Sequence, residues 1–94
     1  MKNPNPLLLK YYNLTMSKLQ DIRKAKGYSQ SMLAKEIGIG LQTIRSFEQG
    51  WRNINSTELV IILKLCNTLD CRIEDILDDE ETLTEWEKYQ KRVG

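Results

Sequence analysis

The stretch SQSMLAKEIGIGLQTIRSFEQG, residues 29–50, decides the fold. Ser29 is a good N-cap, because its hydroxyl accepts one of the orphan N–H groups at a helix start. Leu33, Ala34 and Ile37 then recur at helical spacing and form an inward stripe over roughly Gln30–Ile37. Ala34 is small and lets a following helix cross closely. Gly38 supplies the positive φ that a tight exit requires. A second helix is expected over Leu41–Gln49, with Gly40 at the N-cap and Ile39 placed to staple onto Ile44. At about 100° per residue Ile44 and Phe47 point one way. Leu41, Gln42, Arg45, Ser46 and Gln49 fall together on the opposite face, and Gly50 ends the helix. Two short helices joined by a tight turn, the second with an exposed polar face, can lay one helix in the major groove of DNA.

Upstream, a helix is expected over roughly Ser17–Lys26, with Leu19, Ile22 and Arg23 at helical spacing, Ala25 beside them and Gly27 as its stop. Before it, residues 1–15 form an arm that carries two prolines and then Leu7, Leu8, Leu9, Tyr11, Tyr12 and Leu14. So apolar an arm is either disordered or packed on the body or a second subunit. Downstream, the loop Trp51–Asn55 leads to a fourth helix over Thr57–Leu69, capped by Asn55 or Ser56. That helix is apolar nearly all round, which marks it as the central core helix or one that also makes a dimer contact. A fifth helix covers Ile73–Leu77. Asp78 to Glu81 reads as a solvated charge run, and Thr82 with Glu85 reads as the capping box of a last helix bearing Leu83, Trp86, Tyr89 and Val93. No repeats, low-complexity segments or β signals occur, so the fold class is all-α.

Composition excludes several classes. The 94 residues make one domain, 40% hydrophobic and 29% charged. No apolar run approaches the roughly 18 residues of a membrane span, and Lys10 interrupts the Leu7–Leu9 run before it makes a signal-peptide core. With no His and two cysteines, Cys66 and Cys71, neither a disulfide framework nor a zinc site is expected. No metal or cofactor is expected, and the cysteines read as reduced thiols of a cytoplasmic protein. No nucleophile sits beside a base and no Gly-rich phosphate loop precedes a Lys, so an enzyme is not expected. The net charge of +1 divides into a mildly basic body and an acidic tail from residue 78, a balance that permits nucleic-acid binding.

Residues 19–50, LQDIRKAKGYSQSMLAKEIGIGLQTIRSFEQG, resemble the lambda-repressor-like helix-turn-helix family of the phage repressor/Cro and XRE type. The matching landmarks are Leu19, Arg23, Gly27, Ser29-Gln30, Leu33-Ala34, Gly38-Ile39, Ile44, Glu48 and Gly50; RIEDIL at 72–77 resembles the family's closing helix. The resemblance covers residues 16–77 and implies a five-helix DNA-binding domain, flanked by the arm at 1–15 and by an acidic linker and extra C-terminal helix at 78–94. It implies that the third helix, 41–49, is the recognition helix of a sequence-specific regulator, a repressor, acting as a homodimer on double-stranded DNA. Leu41, Gln42 and Thr43 stand where family members reach base edges, with Arg45 and Ser46 one turn on. Gln30 matches a glutamine that clamps the DNA backbone, and Gln49, Arg52 and Asn53 match phosphate-contacting positions. Arg23 and Glu48 match an internal salt bridge. Gly40 departs from the family's Ser/Thr cap, Leu41 from a polar reader, and the loop after Gly50 is about three residues long in excess.

Physical chemistry supports Gln42 as an adenine reader and Arg45 as a guanine or phosphate partner, while Leu41 suits a thymine methyl or a partner protein. Trp51 and Trp86 are expected as packing anchors, and Lys18, Lys24, Lys26 and Lys35 as solvated. Two alternatives stay open: an antitoxin-like subunit holding a protein partner through the arm or the C-terminal helix, and a protein-interaction module that keeps the fold without DNA.

Overall fold

The computed structural model describes residues 17–94, and the arm expected at residues 1–15 lies outside the described residues. The described chain folds as α1 (Lys18–Ala25), α2 (Gln30–Ile37), α3 (Leu41–Gln49), a 3-10 turn (Ile54–Ser56), α4 (Leu59–Leu69), α5 (Ile73–Ile76) and α6 (Glu80–Val93), with no strand among the described residues.

Local chemistry sets the first boundaries. The hydroxyls of Ser17 and Ser29 accept from the backbone N–H groups of Gln20 and Met32 at 3.0 Å, so α1 and α2 begin at their caps. α1 closes with Tyr28 N–H donating to the Arg23 carbonyl and Gly27 N–H to the Lys24 carbonyl, both 3.0 Å. Gly38 exits α2 at φ 76°, and the N–H groups of Gly38 and Ile39 both donate to the Ala34 carbonyl. That left-handed residue turns the chain sharply enough for α3 to cross α2 beside small, buried Ala34.

Packing then assembles the helices. Leu33, Ile44, Leu65 and Leu69 are fully buried, and with Leu19, Ile37, Phe47, Ile62 and Ile76 they make one core to which α1 to α5 all contribute. Each such side chain contributes about 1.5–3 kcal/mol by leaving water. α4 supplies the core along one face, through Ile62, Leu65, Cys66 and Leu69. Its other side leaves Leu59, Val60 and Leu63 exposed, at 64%, 54% and 43%.

Four expectations are corrected. α4 starts at Leu59 with Glu58 at the cap position, two residues later than expected. Burial of Ile54 pulls the chain into the 3-10 turn, and Asn55 is spent elsewhere: its Oδ1 accepts from the backbone N–H groups of Asp78 (2.9 Å) and Asp79 (3.1 Å). α6 begins at Glu80 and not at Thr82, because the Asp79 carboxylate accepts from both the N–H and the hydroxyl of Thr82 at 2.8 Å. Those bonds hold the Asp79 carboxyl below its ordinary range, and Glu80 and Glu81 complement the positive end of the helix dipole. Trp51 is 77% exposed and anchors nothing among the described residues. Lys18 is half-buried, its ammonium donating to the carbonyls of Glu74 (2.7 Å) and Leu77 (2.6 Å).

Asp70 ends α4 in the left-handed region at φ 52°, the one described non-glycine residue at positive φ. Left-handed backbone crowds a Cβ. Asp70→Gly is therefore expected to raise stability by about 0.5–1 kcal/mol, measured by urea unfolding. A fall in stability would show that the Asp70 side chain carries an interaction of its own.

The thiols lie at the end of α4 and just beyond, Cys66 buried and Cys71 half-buried. Burial, followed by the neighbouring Cys71, pushes the Cys66 thiol up to about 12, and burial also raises Cys71. Because the thiolate is the reactive form, Cys66 is expected to resist disulfide-exchange reagents at pH 8 until the protein unfolds, with Cys71 labelled first. Stopped-flow labelling with and without denaturant checks this; equal native rates would contradict it. No group of three or more His, Cys, Asp or Glu that could hold a metal ion occurs among the described residues, and no described helix is long and apolar enough to cross a membrane.

Candidate nucleic-acid interface

α3 is fastened by its buried side and presents what remains. Ile44 and Phe47 are buried in the core, and Ile39 packs against it from the preceding turn. Glu48, the one acid of α3, is also turned inward and 1% exposed. A carboxylate so deeply buried requires partners. Arg23 of α1 provides a two-pronged one: its Nε donates to Glu48 Oε2 at 2.6 Å and its Nη2 to Oε1 at 3.0 Å. The third guanidinium nitrogen, Nη1, donates to the Tyr28 carbonyl at 2.8 Å. Gln30, at the start of α2, donates from Nε2 to Glu48 Oε1 at 2.9 Å. One carboxylate thus ties α1, α2 and α3 together at the C-terminal end of α3, and the planar fork makes the tie directional.

The outward row of α3 is Gln42, Arg45 and Gln49, all exposed and spaced by three and four residues, so they neighbour one another along one face. Thr43 and Ser46 flank this row and are half-buried. Leu41 is half-buried as well and packs against the core, so its side chain is shared between the body and the surface. With Glu48 paired inside, the exposed side of α3 carries the Arg45 cation and no carboxylate.

The flanking positions differ in how much of their chemistry is committed. Gln30 is half-buried; its amide nitrogen bears two hydrogens, one directed at Glu48 and the other left for a neighbour. Arg52 is exposed in the loop after α3. Asn53 is exposed too, but its Oδ1 already accepts from the Asn55 N–H and Nδ2 at 2.8 Å. Gly40 caps α3 with no side-chain bond, so the first N–H groups of that helix face outward at the positive end of its dipole.

Three residues of the site and its scaffold have roles that the sequence reading did not assign. Tyr28 supplies the carbonyl that completes the Arg23 fork, a contact that backbone carbonyls do not announce. Asn55 braces the loop that carries Arg52 and Asn53 by gripping residues 78 and 79. Lys18 pins α1 to the end of α5. The last two bonds join residues far apart in sequence, where spacing carries no signal.

Comparison with known proteins agrees with this geometry. The helix-turn-helix family model matches residues 19–76. An uncharacterized HTH-type transcriptional regulator, YgzD, from Bacillus subtilis (strain 168) is 31% identical over 65 residues, covering 69% of this chain and 94% of the relative. The crystal structure of the restriction-modification controller protein C.AhdI from Aeromonas hydrophila superposes with a TM-score of 0.57 at 36% identity, over 69% of this chain and 97% of that one. The chain is a member of the XRE-type helix-turn-helix family, a family of DNA-binding transcriptional regulators rather than of enzymes.

Proposed function

We propose that the protein is a sequence-specific repressor that binds double-stranded DNA as a homodimer and inserts α3 into the major groove. The observation that carries this reading is the inward turn of Glu48: it leaves α3 an outward row of Gln42, Arg45 and Gln49 with no negative charge to repel phosphate. Gln42 and Arg45 carry the hydrogen-bonding chemistry for base edges, with Leu41, Thr43 and Ser46 around them. Gln30, Gln49, Arg52 and Asn53 meet the backbone, and the uncapped N–H groups of α3 suit a phosphate. Residues 16–77 form the DNA-binding unit, 78–94 its acidic linker and C-terminal helix. The exposed apolar side of α4, Leu59, Val60 and Leu63, is the surface most suited to the second protomer, placing two recognition helices on half-sites about one helical turn apart. A cytoplasmic location follows from this role.

Two cations per protomer face the DNA in this arrangement, Arg45 in the groove and Arg52 at the backbone, so a dimer displaces about four condensed counterions. The logarithm of the binding constant should then fall against the logarithm of salt with a slope of roughly −4, and Arg52→Ala should make it shallower by about 2. Fluorescence anisotropy on duplex DNA between low and physiological salt measures this. Binding that ignores salt, or no binding at low salt, would overturn the reading.

A second reading, control of a restriction-modification system, is supported by the likeness to the Aeromonas hydrophila controller. Transcription of genes adjoining the coding sequence, with and without the protein, tests it.

A further inference from the structure

α6 is held to the body unlike any other helix. None of its residues is buried. It is attached by Leu83, which packs against the core, and by the Trp86 indole N–H, which donates to Glu74 Oε1 at 2.9 Å. Asn55 fastens the turn that leads into it. Beside it runs an open groove of about 580 Å³, within the roughly 300–1,000 Å³ typical of binding clefts. Leu83 and Trp86 provide its apolar floor, Glu74, Asp78, Glu80 and Glu87 supply carboxylates, and among the described residues no cation lines it. Arg72 already pairs with Glu74 at 2.7 Å, Asn55 Nδ2 donates to Asp78 at 2.8 Å, and the exposed Lys91 stands 4.0 Å from Glu87. Tyr89, 55% exposed, extends the apolar surface, its ring centre 5.8 Å from that of Trp86.

The second described residue, Lys18, reaches the edge of this groove with its side chain. The Lys18 ammonium is bonded to the carbonyls of Glu74 and Leu77, and Glu74 lines the groove. The sequence that precedes Ser17, MKNPNPLLLKYYNLTM, has the complementary chemistry: Lys2, Lys10 and no Asp or Glu, with Leu7, Leu8, Leu9, Tyr11, Tyr12 and Leu14. Extended at roughly 3.3 Å per residue, residues 7–14 span about 26 Å, comparable to the ~21 Å length of α6 at 1.5 Å per residue. So short a tether gives an effective concentration on the order of millimolar.

We propose that residues 7–14 dock in this groove in the same chain, with leucine and tyrosine side chains on Leu83, Trp86 and Tyr89 and with Lys10 beside Glu80 and Glu87. The docked segment covers the apolar floor, offsets the acidic rim and clamps α6 to the body. This does not depend on DNA binding.

Zero-length carbodiimide crosslinking of the full chain tests it, on an equal mixture of ¹⁴N- and ¹⁵N-labelled protein mapped by mass spectrometry. The expected product is an amide between the Lys10 amine and the Glu80 or Glu87 carboxylate, within one isotopic copy and at a yield independent of dilution. Replacing Leu8→Asp together with Leu9→Asp should cut that yield at least tenfold. Absence of these links, links found between differently labelled copies alone, or an unchanged yield in the double variant would each overturn the proposal. As an independent measurement, Lys10→Glu should speed hydrogen exchange of the α6 amides severalfold and leave α2 and α3 unaffected; unchanged exchange in α6 contradicts the docking.

Discussion

Arg23→Ala is expected to destabilise the protein by about 3–5 kcal/mol, because it leaves the Glu48 carboxylate buried without its counter-charge. For a domain of this size, that lowers the melting temperature by roughly 15–30 °C. Three bonds go at once: the two to Glu48 and the one to the Tyr28 carbonyl. Removing both charges, Arg23→Met with Glu48→Met, should recover part of the loss and not all of it. The Tyr28 carbonyl and the Gln30 amide then lack their partners, at about 1–3 kcal/mol for each group left unsatisfied. Thermal unfolding followed by circular dichroism gives the ranking native, double variant, single variant. A single variant as stable as the native chain would show that the fork contributes nothing. Below its transition temperature the single variant should retain DNA binding, since Arg23 is buried and does not face outward.

Gln42→Ala with Arg45→Ala should have the opposite profile. Both side chains are exposed, so stability should change by no more than about 0.5 kcal/mol. Each well-made contact to a base edge is worth about 1–3 kcal/mol. Together the two losses weaken specific binding by roughly 30-fold to 10⁴-fold per half-site. Non-specific binding should fall far less, since Arg52 and the helix N-termini remain. Footprinting on the preferred site, beside melting of the free protein, separates the two effects. Full protection by the double variant would mean that α3 does not read the sequence.

The parts of the fold that were legible in the sequence are those whose signals are local. α2 and α3 start and stop where Ser29, Gly38 and Gly50 say, because a cap acts within one turn of the residue that makes it. The starts of α4 and α6 were not legible. Asn55 looks like a cap for the helix just after it, yet it serves backbone 23 and 24 residues on. Asp79 hides in an acidic run that reads as solvated. Lys18 looked solvated for the same reason: its two acceptors lie 56 and 59 residues away. At the candidate interface, helical periodicity gathered Leu41, Gln42, Arg45, Ser46 and Gln49 onto one face. Periodicity knows nothing of the neighbouring elements, and these divide that face, drawing Leu41 against the core and leaving Gln42, Arg45 and Gln49 outside. Arg23 and Glu48 lie 25 residues apart, and no spacing rule pairs them; their partnership was an inference from family resemblance. The exposed apolar side of α4 is a different matter. Leu59, Val60 and Leu63 belong to a run apolar all round, and which residues of such a run face inward is decided by packing alone.

Selection from random duplex DNA with the purified full-length protein, read out by sequencing, tests the reading of α3 most directly. An inverted repeat should be enriched, its half-sites centred about 10–10.5 base pairs or a multiple apart, and the enrichment should vanish with the Gln42→Ala, Arg45→Ala variant. No enriched sequence from the native protein, or the same repeat enriched by the variant, would contradict it.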